Sequence, residues 1–178
     1  MAKLKKLKRS GEHKAFSEIE QLYVRRKEAL EFLFAAQSFG CSENEIKIKK
    51  EHLDYQLQEA EYDASLALLG AIEAAFRLDF DDRHHKRLKD PRSKAVREMS
   101  KLPRGDALNY RIPITCIFNL LTIDHSAPER TINLLKIYFK FRHWLAHGRY
   151  WQLHLGINRP TFSEIFHVAQ KVQSVLQS

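Results

Sequence analysis

The sequence predicts an all-α protein, a bundle of five to six helices that opens with a long helical hairpin. Three observations carry this. Apolar residues recur at steps of three and four through most of the 178 positions, the spacing of one helix face. Only six glycines and five prolines interrupt the chain, too few for a many-turned sheet protein. Three boxes of the Ser/Thr-x-x-Glu kind, Ser42/Glu45, Ser126/Glu129 and Thr161/Glu164, stand where helical patterns begin.

Residues 1–11 form a basic arm in which Lys3, Lys5, Lys6, Lys8 and Arg9 crowd together. Such a block is usually solvated and disordered, and it also adds non-specific affinity for a polyanion. The remainder, 12–178, reads as one domain, long enough to bury a substantial core. Over 12–38 the residues Phe16, Ile19, Leu22, Tyr23, Leu30, Leu33 and Phe34 share helical spacing, and Gly40 ends the run. The second pattern starts at Ser42 and reaches about position 80. Within it Leu53, Leu57, Ala60, Ala64, Ala67 and Ala71 alternate steps of four and three, a coiled-coil seam whose alanines admit a close neighbour. Helices one and two therefore pair as an antiparallel hairpin. Asp81, Asp82, His84 and His85 follow and read as a solvated helix end.

Asp90 and Pro91 restart the chain as N-cap and first helical residue of a short helix to about 101, and Pro103, Arg104 and Gly105 make a loop. Residues 113–123 are apolar and suit a buried helix or a strand; the helical context favours helix. The motif helix runs over 128–147 with Ile132, Leu135, Tyr138, Phe139 and Leu145 as its core stripe. After a short extended turn over 150–157, a last helix continues to about 176.

Composition bounds the function. Apolar residues make up 44% and charged residues 29%, ordinary for a soluble globular protein, while a net charge of +8 favours a polyanionic partner. Cys41 and Cys116 offer neither a disulfide framework nor a ligand set, so a reducing cytoplasm is expected. No apolar run approaches the ~18 residues of a membrane span, and the N-terminus lacks the apolar region of a signal peptide. There is no internal repeat, Gly-rich phosphate loop, nucleophile elbow or cysteine-based site, and no cofactor is expected.

The chemistry concentrates at residues 141–151, Phe-Arg-His-Trp-Leu-Ala-His-Gly-Arg-Tyr-Trp. Arg142, His143, His147 and Arg149 fall within eight positions, and Gly148 suits the left-handed C′ position that ends a helix. One reading is bland: cations complementing the negative end of a helix. A second is a zinc site, because His143 and His147 are i and i+4 and share a face. The zinc-protease pattern, however, needs a glutamate where Trp144 stands. Positions five apart lie about 140° apart around a helix, so one chain does not aim Arg142 and His147 at the same atom.

Arg142 and His147, as R-x4-H with polar His143 after the arginine, resemble the active-site motif of the HEPN-domain ribonucleases, small helical bundles that cleave RNA without metal. The resemblance covers best about 65–178. It implies a homodimer whose two motif helices build one cleft, with Arg142, His147 and His143 catalytic and RNA as substrate. Some of these enzymes place an acidic residue on an earlier helix beside the motif. Glu73 is the position here that resembles it; its other reading is a surface ion pair with Arg77. Arg149, Arg77 and Tyr150 are the expected RNA-binding residues, and Trp144 and Trp151 either pack around the cleft or belong to the core. The family also implies a toxin or phage-defence effector with an antitoxin partner; the alternative is a non-catalytic helical module that binds RNA or a protein through a basic cleft. Two departures stand out. His143 replaces the commoner asparagine or aspartate, and Arg149 occupies the place of a tyrosine that accepts AMP in some toxins of this kind.

Overall fold

One helix organises the molecule: every other helix packs against α2 (Glu43–Lys86). The computed structural model describes residues 14–86, 88–101, 112–123, 127–149, 151–156 and 158–177. Its helices are α1 (Phe16–Ser38), α2, α3 (Pro91–Lys101), α4 (Ile114–Asn119), α5 (Glu129–Ala146) and α6 (Phe162–Gln177), with a 3-10 turn at Leu120–Thr122. Among the described residues there is no strand. The all-α bundle and its N-terminal hairpin are thus as the sequence predicts. The basic arm, the loop at Pro103–Gly105, Ser126 of the second capping box and Tyr150 lie outside the described residues.

The helix starts follow side-chain chemistry. The backbone N–H of Ser42 donates to Glu45 Oε2 at 2.8 Å, and that of Thr161 to Glu164 Oε2, also at 2.8 Å. Asp90 Oδ1 accepts from the Ser93 N–H at 2.9 Å, which caps α3. These bonds satisfy donors that a helix start leaves open.

At 44 residues, α2 is roughly 66 Å long, and its two halves differ. Its buried face begins only at Ala60 and continues through Ala64, Leu68, Ile72, Phe76 and Phe80. The seam predicted through Ala67 departs here. Ala67 is exposed, because beyond Ala64 the buried residues recur every four positions and the face rotates toward α4, α5 and α6. In α1 only Phe16 and Ile19 are fully buried. Leu22 and Leu33, which share the helical spacing of Phe16 and Ile19, are about half exposed, and Phe32 and Phe39 are exposed by 78% and 93%. The hairpin tip therefore stands clear of the domain.

A second correction concerns the end of α2. The helix continues to Lys86, and Asp81 is buried rather than solvated. Asp81 lies against His85 of the same helix, its Oδ1 3.3 Å and its carbonyl oxygen 2.8 Å from Nδ1. On another side of the helix, Arg83 binds Asp79 at 2.9 Å and Asp90 at 3.2 Å, and Arg92 approaches Asp79 at 3.8 Å. These charges clasp α2 to α3, since buried charges persist only when paired.

The main core lies where α2, α4, α5 and α6 meet. Phe118 sits edge-on between Phe76 and Phe139, with ring centroids 4.9 Å from each. From α5 it takes Ile132, Leu135, Tyr138, Phe139, Phe141 and Trp144; Leu145 is only partly buried. Among the described residues no helix is long and apolar enough to cross a membrane.

Candidate functional site at the end of α5

Gly148 closes the motif helix as its sequence position predicts. Its φ is +77°, its N–H donates to the Leu145 carbonyl, and the Arg149 N–H reaches back to the Trp144 carbonyl at 3.1 Å. This pair of bonds is a Schellman ending. His147 is the C-cap, with φ −101° and ψ 21°. Arg149 also has positive φ, at 59°, which swings its side chain back along α2.

Arg142 and Glu73 meet. Arg142 Nη2 lies 3.0 Å from Glu73 Oε2, while Arg77 Nη2 lies 2.7 Å from Glu73 Oε1 and Arg77 Nε 2.8 Å from the same oxygen. Arg77 also donates to the Ile112 carbonyl at 3.2 Å. One carboxylate thus serves two guanidinium groups, and the cluster keeps a net positive charge. All three side chains are partly buried, the Arg142 side chain being one-third exposed. Arg142 Nε is buried, and it has no hydrogen-bond partner among the described residues.

His143 and His147 form a second group. Their rings lie 4.2 Å apart, with the Trp151 ring 5.6 Å and 6.3 Å from them. Both histidines are exposed and Trp151 is half-buried. The Trp151 carbonyl accepts from Trp144 Nε1 at 2.9 Å, which ties the segment after the glycine to the core. Trp144 itself is core, stacked on Phe141. Within one chain, then, Arg142 faces Glu73 and Phe139, whereas His147 faces His143 and Trp151. This separation is the one their five-residue spacing sets.

Arg149 is committed elsewhere. It makes a two-pronged pair with Glu59, at 2.6 and 2.9 Å, and lies over the Tyr62 ring. Hydrogen bonding to Glu59 holds its guanidinium above the ordinary value despite some desolvation. Nearby, Arg159 donates to the Tyr62 hydroxyl at 3.0 Å and covers the Trp144 ring. Glu59, Tyr62 and Arg159 belong to the site yet escaped the sequence reading. Separations of 90 and 97 residues leave no local signal. Among the described residues no group of three or more His, Cys, Asp or Glu side chains is placed to hold a metal ion.

No protein-family model, curated protein or solved structure matches this chain.

Proposed function

We propose that the protein is a metal-independent endoribonuclease that works as a homodimer, with the ends of two α5 helices sharing one cleft. The observation that carries this reading is the pairing of Glu73 with Arg142 beside an exposed pair of histidines. The carboxylate holds the guanidinium in place, and its sharing with Arg77 leaves charge over for a phosphate. In the reaction, the ribose 2′-oxygen attacks the adjacent phosphorus and the 5′-oxygen leaves, which gives a 2′,3′-cyclic phosphate. One His147 takes the 2′-hydroxyl proton, and the His147 of the second copy delivers a proton to the departing oxygen. Such positioned proton transfer contributes ~10²–10⁴-fold. Arg142 binds the phosphate and offsets the charge that grows on it. His143 positions His147, Arg77 braces Glu73, and Arg149 stands at the rim. An isologous two-fold interface supplies the acid and the base that one chain lacks. A nuclease of this kind suits a toxin or phage-defence effector held in check by an antitoxin.

The closed Arg142–Glu73 pair favours a second reading, a non-catalytic module that binds RNA or a protein at the same face. Incubating purified protein with mixed RNA in excess chelator separates the two. Cleavage by wild type that disappears in His147→Ala and Arg142→Ala supports the enzyme. No cleavage by wild type, or equal cleavage by His147→Ala, removes it.

A further inference from the structure

The outer face of α5 carries a basic path that leads into the histidine pair. Lys136, Lys140, His143 and His147 are four, three and four residues apart, so they fall within an arc of about 60° and span about 16 Å of helix. Lys140, His143 and His147 are exposed, and Lys136 borders a shallow recess with Thr122, Glu129 and Asn133. Arg77, Arg83, Arg142 and Arg149 are each ion-paired, Arg77 and Arg142 sharing the one carboxylate of Glu73. Neither Lys136 nor Lys140 has an ion-pair partner among the described residues. Glu129, at the start of the helix, is the one acidic residue of α5, so negative charge marks the far end of the path.

From this we infer that the Lys136–Lys140–His143–His147 face of α5 is a track for the backbone of single-stranded RNA, ending on the rings of His147 and Trp151. The choice of RNA rests on the function proposed above; the track itself rests on charge and spacing. Steps of about 4.5–6 Å along the helix, extended by long flexible lysine side chains, can meet successive phosphates of a strand. Rings grouped at the end of the path select a single strand, because a base offers its face for stacking only when it is out of a duplex. The strand is thereby led toward the place where His147 acts.

The test is binding of a fluorescein-labelled 2′-O-methyl oligouridine, which lacks the attacking hydroxyl, so affinity is measured apart from cleavage. For Lys136→Glu/Lys140→Glu the dissociation constant rises on the order of tenfold at 0.1 M salt, and the slope of log affinity against log salt becomes shallower by about 1.4. Lys47→Glu/Lys50→Glu changes the net charge equally at exposed positions of the hairpin tip and leaves affinity within about twofold. Unaltered helical circular dichroism shows that each variant is folded. An unchanged slope in the α5 variant, an equal loss in the hairpin variant, or equal binding of a blunt duplex by wild type overturns the track. Wild type that binds and loses binding as stated, yet never cleaves RNA, refutes the enzyme and leaves the track standing.

Discussion

Glu73 and Arg142, 69 positions apart in sequence, are joined at 3.0 Å, and Arg77 grips the other oxygen of the same carboxylate. The three groups are partly buried, so they respond together to substitution. Glu73→Ala leaves two guanidinium groups facing one another without a counterion and is expected to cost about 1–3 kcal/mol. Arg142→Ala leaves Arg77 to hold Glu73 and costs less. Urea unfolding of the single and double variants checks this: coupling well below about 0.5 kcal/mol shows the pair to be energetically idle.

Arg149 is held away from solvent anions by Glu59. Glu59→Gln weakens that hold and is expected to raise the affinity of the protein for RNA severalfold, by about one added phosphate contact. Fluorescence anisotropy with the oligouridine checks it. An unchanged affinity assigns Arg149 to bracing α2 alone.

Gly148 sits at φ +77° with nothing among the described residues within 4 Å of the position a Cβ takes. Its substitution therefore tests backbone strain without steric conflict. Gly148→Ala is expected to cost about 1–2 kcal/mol, and Gly148→Asn less, since asparagine tolerates the left-handed region better. Thermal unfolding reports both. Equal stability of the alanine variant indicates that the Schellman ending is not formed in solution.

Asp90 gives the protein an acid limit. Burial pushes its carboxyl up, but hydrogen bonds from Ser93 and the Arg83 guanidinium outweigh this and hold it below the ordinary 3.8. A depressed folded-state value means stabilisation that is complete above the unfolded value and lost as pH falls through the folded one. Stability is therefore expected to fall below about pH 4, and Asp90→Asn to flatten that fall while lowering stability at neutral pH. Urea midpoints measured down that pH range decide it; identical acid slopes in both proteins remove Asp90 as the cause.

Helix ends were the most legible part of this chain. Ser42, Asp90, Thr161 and Gly148 act within three or four residues of themselves, so their bonds are local consequences of sequence. Faces were less legible. Leu22 and Leu33 keep helical spacing in α1, but spacing alone does not say where the supporting domain stops. The burial of Asp81 is a related case: a charged residue near a helix end reads as solvated, and only the surrounding fold shows that it is covered. At the site, the pair of Glu73 with Arg77 is legible as an i, i+4 spacing, whereas its pair with Arg142, 69 positions away, has no local signal. Glu59, too, meets Arg149 only because α5 runs back along α2, a relation that no local pattern contains.

The tether between Trp144 Nε1 and the Trp151 carbonyl has a spectroscopic consequence. These are the only two tryptophans in the chain, and both lie at one end of α5. Every photon the protein emits from indole therefore originates at this end of α5. One fluorophore is shielded under Arg159, and the other is half open to solvent next to two imidazoles. Quenching by iodide divides the emission into a protected and an accessible fraction. Any molecule that settles on the imidazoles registers in the accessible fraction alone, so the unlabelled protein is its own optical probe.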